Sequence, residues 1–296
     1  MADTVYQKAA RQVDAQLVPP LRSMLMARRL FAKQIVLPAG KYEIDWKKVT
    51  EMSAGNISYG MPQGDLERDM VKLTGEQLKT AFIFKGFMVE KQEWNAFRSD
   101  GISLDMTGAE SAGQVVADRE EAFLTLGWKR DGTLYEIKGL YNTPACSTEA
   151  TSEVFSTFGN AVKKLMLART VLKAAKVFGV NFNWALATGN YEELLGSMSS
   201  TGLNEVDTVR KMLNPVAGMP TGDIIDCPNL TADTGMLVPV DPTGRFLDLV
   251  IGQNPRTYFG YDSKLGEEAS PIYGHVIEAL VPRVKQPKAI CTTTGL

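Results

Sequence analysis

The feature that most constrains this chain is a long polar stretch between two runs of extended character. Residues 50–77 hold four glycines, one proline and mixed charge, and no helical or strand period persists through them. Inside a compact domain, so long an irregular segment is either disordered or a functional arm. Before it, Tyr42, Ile44 and Trp46 alternate with polar residues, and alternation returns at 79–97. The flanks favour an arm: a long projecting hairpin whose two extended runs enclose a polar tip.

Helical patterns lie on both sides of this arm. Apolar residues recur every four or five positions over residues 4–31. Pro19 and Pro20 are expected to kink or split that helix, because proline donates no amide hydrogen bond. Apolar stripes predict two further long helices, over about 105–127 and over 150–178.

The remainder of the chain mixes shorter elements. A strand is predicted at 181–187 around Trp184, followed by helices at 191–198 and 205–213. Short strands separated by turns complete the chain, and the turn DPTG at 241–244 is the clearest of these. Since no regular βαβ repeat is present, the pattern indicates an α+β fold rather than a doubly wound sheet.

Composition narrows the class of protein. The chain has 296 residues, 44% of them hydrophobic, which is enough for one large domain or two smaller ones. A net charge of -2 argues against tight binding of nucleic acid through bulk charge, although a container that surrounds nucleic acid would also be near neutral. No apolar run approaches the roughly 18 residues of a membrane span, and the N-terminus lacks a signal-peptide core. We therefore expect a soluble, intracellular protein with no membrane partner.

Residues suited to catalysis or metal binding are sparse. Cys146, Cys227 and Cys291 are widely spaced, which favours free thiols over a disulfide framework or a zinc site. The single histidine, His275, lies in a predicted strand, where a structural role is favoured over a catalytic one. Phosphate-loop, GxGxxG, HExxH and GxSxG motifs are absent from the sequence. We expect no catalytic residue, no cofactor and no metal, and therefore no enzyme.

The order of these elements resembles the HK97 capsid fold, and in particular its encapsulin branch. The opening helix and loop entry of that family are similar to VDAQLVPPLRSMLMARRLFAKQIVLPAGKYEIDW. Its spine helix, acidic cluster and following turn are similar to AGQVVADREEAFLTLG and YEIKGLYN. Its axial domain and closing strands are similar to NFNWALATGNYEELLGSM, VDTVRKMLN, DIIDCPNL and MLVPVDPTGRFLDLVIGQNPRTYFGYD. The resemblance spans nearly the whole chain.

The resemblance implies an α+β, HK97-like fold with an extended hairpin arm, a spine helix, and axial and peripheral domains. It divides the chain into five regions: 1–40, the N-terminal arm and helix; 41–80, the extended loop; 81–146, the peripheral domain with the spine helix; 147–250, the axial domain; and 251–296, C-terminal strands that return to the peripheral domain.

The resemblance therefore implies a structural shell subunit. Its copies would assemble into the pentamers and hexamers of an icosahedral shell. The first interpretation is a viral major capsid protein, which would form a virion capsid assembled in the host cytoplasm. It would enclose double-stranded DNA without sequence specificity, and its partners would be portal, scaffold or decoration proteins. The alternative is an encapsulin shell that encloses a cargo enzyme, and a third is a soluble α+β enzyme with an unrecognised site. Encapsulins usually begin with a longer apolar, proline-rich segment that helps to form a cargo pocket. The short polar start here, and a tail VKQPKAICTTTGL beyond the usual end, favour the viral coat.

Contacts between copies are expected at three places. A hairpin arm cannot bury both of its faces on its own body, so a neighbouring copy should cover it. The stretch 188–205 is expected around five-fold or six-fold axes, and acids of the spine helix are expected to pair with basic residues of adjacent subunits. Those acids are Asp118, Glu120 and Glu121. The arm residues expected to be covered are Ile57, Tyr59, Met61, Leu66, Met70 and Val71.

Overall fold

The computed structural model describes residues 5–24, 26–49, 73–100, 107–129, 135–199, 202–261 and 272–296. Its helices are α1 (Val5–Met24), α2 (Lys91–Asp100), α3 (Thr107–Thr125), α4 (Asn160–Ala174), α5 (Thr188–Gly196) and α6 (Glu205–Leu213), with 3-10 turns at Ala27–Leu30 and Pro287–Ala289. Its strands are β1 (Gln34–Val36), β2 (Glu43–Val49), β3 (Leu73–Lys79), β4 (Ala81–Val89), β5 (Gly127–Lys129), β6 (Tyr135–Lys138), β7 (Ser147–Glu149), β8 (Asn181–Leu186), β9 (Ile224–Asp226), β10 (Thr234–Val240), β11 (Leu247–Tyr261), β12 (Ile272–Val284) and β13 (Cys291–Thr294).

A four-stranded sheet in the order β1-β11-β12-β4 forms one part of the molecule. Strands β11 and β12 are long and antiparallel, and their register is broken between Ile251 and Arg256. Side chains alternate across the two faces of the sheet because successive residues of a strand point to opposite sides. On one face Val276 packs with Ala112 and Val116 of α3 and with Val13 of α1. Helices α3 and α1 therefore cover the same face of the sheet.

A five-stranded sheet in the order β7-β13-β10-β8-β9 forms the other part. All six residues of β8 are buried, as expected for a strand that is covered on both faces. Trp184 of β8 is fully buried and meets the ring of Phe155 edge-on at 5.4 Å. The predicted strand around Trp184 is thus confirmed.

The C-terminal tail is an integral strand of this second sheet. Strand β13 lies between β7 and β10, parallel to the former and antiparallel to the latter. Cys291 is fully buried there, so the tail contributes to the core. The division of the chain into domains stays a prediction, but this strand lies with the segment 147–250 and does not return to the four-stranded sheet.

The predicted hairpin had the wrong partner strand. Strand β2 pairs with β3, from Glu43 opposite Lys79 to Val49 opposite Leu73, so pairing continues into a stretch where no period was visible. The alternating run after Lys79 belongs instead to β4, which pairs with β12. The chain turns between the two at Thr80, whose amide and hydroxyl both donate to the carbonyl of Tyr42.

Two helices also differ from expectation. Helix α1 continues through Pro19 and Pro20 to Met24, so the prolines do not split it. Helix α2 was read as extended chain, but Trp94 becomes almost completely buried when this segment is helical, beside Tyr6 and Phe259. The predicted spine helix is confirmed as α3, two residues shorter at each end. Among the described residues no helix is both long enough and apolar enough to cross a bilayer.

Candidate assembly surfaces

The base of the arm is anchored, but its strands have no other sheet partner. Hydrogen bonds in the described part of the arm join β2 only to β3. At the base, Ile44 and Leu78 pack against the main core, and Arg283 lies over the Trp46 ring at 5.8 Å. Directly opposite Trp46, Glu76 is exposed. An isolated two-stranded hairpin is only marginally stable in water, so this arm needs a second surface to hold its shape.

The four-stranded sheet has a large uncovered apolar face, opposite α1 and α3. Phe84 is 69% exposed and Met88 is 66% exposed, far more than apolar side chains of this size usually are. The cross-strand neighbours of β4 on this face include Ile277 and His275 of β12, and His275 in turn faces Tyr258 of β11. We call this surface the open sheet face and define it by Phe82, Phe84, Met88, Tyr258, Tyr273, His275 and Ile277.

His275, the single histidine, lies in a strand as predicted, and its side chain is exposed on the open sheet face. Its ring lies over Gly86, where an added Cβ atom would come within 3.0 Å of Nδ1. A glycine opposite the imidazole leaves the room that the ring occupies. His275 therefore contributes to a surface and not to a buried cluster.

A cleft of about 860 Å³ continues the open sheet face around the free edge of β4. Phe82 and Phe84 line it from β4, Arg119 and Phe123 from α3, and Trp128 from β5. Trp128 is itself 46% exposed. Contiguous exposed aromatic surface of this kind marks a site of interaction with another chain.

A groove of about 530 Å³ lies at the edge of the four-stranded sheet, between α1 and β11. Strand β1 pairs with β11 only as far as Ile251, so the edge of β11 near Thr257 has no strand neighbour among the described residues. Asp14 of α1 accepts a hydrogen bond of 2.7 Å from the Thr257 amide and so ties the helix to this edge. Burial raises the pKa of Asp14, although the Thr257 hydrogen bonds and the charge of Arg256 act in the lowering direction. We call this feature the α1–β11 groove.

The acids of the spine helix have three different environments. Asp118 is exposed. Glu120 is completely buried and forms an ion pair with Arg28 at 2.5 Å. Glu121 is buried and accepts a hydrogen bond of 2.8 Å from the Ala27 amide. The last two acids therefore serve contacts within their own chain and do not form a solvated face, so Asp118 is the one of the three whose side chain is exposed.

The remaining sites predicted from the sequence lie elsewhere. The arm residues Ile57, Tyr59, Met61, Leu66, Met70 and Val71 are outside the described part of the chain. The stretch expected around symmetry axes is described except for residues 200–201, and it exposes Met198 and Leu203 to 63% and 66%.

Sequence reasoning missed the open sheet face. The signal was present, because β4 has large apolar residues at both even and odd positions, as a strand with two covered faces does.

Comparison with known proteins establishes the family. Residues 4–269 match the model of a family described as "Encapsulating protein for peroxidase". The chain belongs to this family. The chain is also similar to the type 1 encapsulin shell protein EncA of Myxococcus xanthus, with 24% identity over 286 residues, or 96% of this chain and 91% of EncA.

Solved structures show the same fold. The virus-like particle from Pyrococcus furiosus matches with a TM-score of 0.67 at 19% identity, covering 97% of this chain and 99% of that one. The capsid of Myoviridae phage XM1 matches with a TM-score of 0.65 at 12% identity, covering 88% and 90% of the two chains. The predicted HK97-type fold is thus confirmed, and the chain is a shell-forming protein of the encapsulin and HK97 type. Between the two interpretations of its function, the family match favours the encapsulin one over the phage capsid.

Proposed function

We propose that this protein is the shell subunit of an encapsulin-type compartment, which closes around a cargo protein and does no chemistry itself. The observation that carries the proposal is the match to an encapsulating family over residues 4–269, which include the arm, the spine helix and most of both sheets. The short polar N-terminal segment does not argue against this function, because α1 still forms a groove against β11. The tail does not argue against it either, because it forms β13.

Assembly would cover the open sheet face with the arm of a second copy. The face and its adjoining cleft present Phe82, Phe84, Met88 and Trp128 to solvent, and Arg256 is an exposed cation beside Tyr258. The arm segment 50–72 has matching properties in sequence: apolar residues that need cover, and four acids against two bases. Burial of such a face, repeated around a symmetric shell, multiplies a modest contact into a stable closed particle.

Specific residues would make these contacts. From the arm they are Ile57, Tyr59, Met61, Leu66, Met70 and Val71, and from the spine helix Asp118. The α1–β11 groove is the proposed site for a cargo segment, since an extended peptide can add to an open strand edge through main-chain hydrogen bonds.

The content of native particles tests the function. Particles purified from the native cells and treated with nuclease should contain a second, folded protein, identified by mass spectrometry, and little nucleic acid. The phage capsid is the second candidate, favoured by the TM-score of 0.65 to the capsid of phage XM1. Nuclease-protected double-stranded DNA of uniform length would establish that candidate and overturn the cargo compartment.

A matched pair of variants tests the groove. Exchanging Arg11 for glutamate reverses the charge of a groove-lining residue on α1. The variant should form shells with less cargo. Exchanging Lys173 for glutamate, an exposed residue of α4 away from the groove, is the control and should leave the loading unchanged. Equal cargo in all three shells would show that the cargo binds elsewhere.

A further inference from the structure

A buried charge cluster joins three elements of the fold. Arg28, in the 3-10 turn Ala27–Leu30, donates to both oxygens of Glu120 on α3, at 2.5 Å and 3.1 Å. The same guanidinium also donates to Glu278 of β12. Both carboxylates are completely buried, and the side chain of Arg28 is 11% exposed. The turn that follows α1 is therefore held to the spine helix and to the sheet by one cation.

The charges of this cluster do not balance when all three groups are ionised. One guanidinium and two carboxylates leave a net charge of about -1 away from water, which is costly. The Glu278 Oε2 atom is buried and has no donor among the described residues. The Glu120 and Glu278 carboxyls bind the same guanidinium and therefore lie beside each other. One proton shared by the two carboxyls would supply the missing donor and neutralise the cluster.

The other charged groups of α3 do not neutralise the excess negative charge of this cluster. Glu121 turns away from Glu278 to the amide of Ala27. Asp118 and Arg119 are exposed. From this helix, Glu120 therefore faces Glu278 directly, and its negative charge makes ionisation of Glu278 less favourable.

Cations of the other neighbouring elements are engaged elsewhere. Arg29 of the turn points to Asp223 at 3.6 Å, and Arg283 of β12 is paired with Asp248 at 2.6 Å. Of the described side chains nearby, Asp14 is bonded to the Thr257 amide, Lys85 and Arg256 are exposed, and His275 lies on the opposite face of the sheet. Among the described residues, Arg28 is the cation whose charge acts on Glu278.

We propose that Arg28, Glu120 and Glu278 form a proton-holding latch. With one proton shared by the two carboxyls, the turn is clamped to α3 and β12. Loss of that proton leaves a buried negative charge, loosens the turn, and releases α1 from its place beside β11. Because α1 forms one wall of the α1–β11 groove, the proton state of the latch would control whether that groove exists.

The direction of the pH dependence follows from the burial of Glu278. Burial and the charge of Glu120 raise the pKa of Glu278 to about 9, although Arg28 acts in the lowering direction. In the released state the side chain would return towards its ordinary pKa of 4.5. Between these two values the clamped state holds more protons, so clamping weakens as pH rises, by up to about tenfold in the equilibrium constant per pH unit. Above about pH 9 the dependence should flatten.

Infrared spectroscopy of the full-length protein tests for the proton. At about pH 7 the wild type should show the C=O stretching band of a buried, protonated carboxylic acid, and the band should disappear as pH passes about 9. Glu278→Gln should lack the part of the band that titrates there, whereas Glu110→Gln, which removes an exposed carboxylate of α3, should retain it. The absence of any such band at neutral pH would overturn the proposal.

Limited proteolysis tests the latch. The rate of trypsin cleavage within residues 5–33 is measured at each pH for the wild type and for Glu278→Gln. In this variant the charge cluster is neutral without a shared proton. The ratio of wild-type to variant rate should rise with pH, by up to about tenfold per unit. Parallel rate profiles would show that the cluster holds a proton without acting as a latch. Should Glu278→Gln fail to fold, Glu120→Gln removes the same excess charge and takes its place, and the titration of the wild-type band still decides on the proton.

Discussion

Lys164 and Glu149 form an ion pair in the interior of the chain. Lys164 Nζ lies 2.5 Å from Glu149 Oε2, and the two side chains are 0% and 6% exposed. The same ammonium group donates to the carbonyl of Thr294 at 2.7 Å and to that of Thr151. A single lysine of α4 thus holds β7 and the C-terminal strand β13 together.

Removal of this lysine should be severe. Lys164→Met leaves Glu149 buried without its cation, and breaking such a pair costs about 3–5 kcal/mol of unfolding free energy. Urea denaturation should show a much lower midpoint. Glu149→Leu combined with Lys164→Met should recover much of the loss, because it removes the unpaired charge. A single variant as stable as the wild type would mean that the pair does not hold the tail in place.

Acid should weaken the turn that contains Asp241. Burial would raise the pKa of Asp241, but hydrogen bonds from Thr243 and from the Arg245 amide outweigh it and lower the pKa. Since the folded pKa lies below the ordinary value of 3.8, this stabilisation is complete above about pH 4 and is lost as pH falls through the folded pKa.

Asp241→Asn isolates this effect, because asparagine cannot accept both sets of hydrogen bonds. The urea midpoint of the wild type should exceed that of the variant at about pH 6, by an amount equivalent to roughly 1–2 kcal/mol. The difference should shrink as pH falls below about 4. A difference that stays constant down to the lowest pH at which the chain folds would contradict this origin.

Gly222 should not tolerate a side chain. An added Cβ would lie 1.8 Å from the carbonyl oxygen of Phe182, a backbone atom of β8 that cannot move aside. Gly222→Ala should therefore lower the unfolding free energy by about 3 kcal/mol or more. Gly189→Ala is the matched control, because nothing lies within 4 Å of its Cβ position in α5 and alanine favours a helix. Equal stability of the two variants in urea denaturation would be inconsistent with the packing of β8 described above.

Local patterns were sufficient to predict much of the fold. The apolar stripe of α3 and the helix at 205–213 are both found. The strand β8 around Trp184 also appears as predicted. The pattern that predicts each of these elements lies within one short stretch of sequence, so it is visible in a single chain. The order of these elements carried the resemblance to HK97 shells.

Long-range pairing could not be predicted in the same way. Asn183 holds the carbonyl of Arg29 and the amide of Asp223, two groups far apart in sequence, and no spacing signals such contacts. No sequence pattern assigns Arg28 to a buried cluster, because its partners Glu120 and Glu278 lie 92 and 250 positions away. Strand β3 was missed because its own sequence shows no strand pattern. It is extended because it pairs with β2.

The open sheet face should be needed for assembly and not for folding. Phe84→Ser combined with Met88→Ser changes two side chains that are mostly exposed, so each should alter the unfolding free energy by no more than about 0.5 kcal/mol. Shell formation should fall by at least about tenfold, since the lost apolar burial repeats at every contact. Phe178→Ser, 59% exposed and outside the open sheet face, is the control. Light scattering after size-exclusion chromatography measures the result, and abundant shells from the double variant would contradict the role of this face.

A density map of the particle formed by the chain expressed alone tests the central claim most directly. The account predicts closed shells in which residues 50–72 of each copy lie on the open sheet face of an adjacent copy, against Phe84 and Met88. A particle-free monomer whose arm is folded onto its own body, with the same face still exposed to solvent, would contradict it.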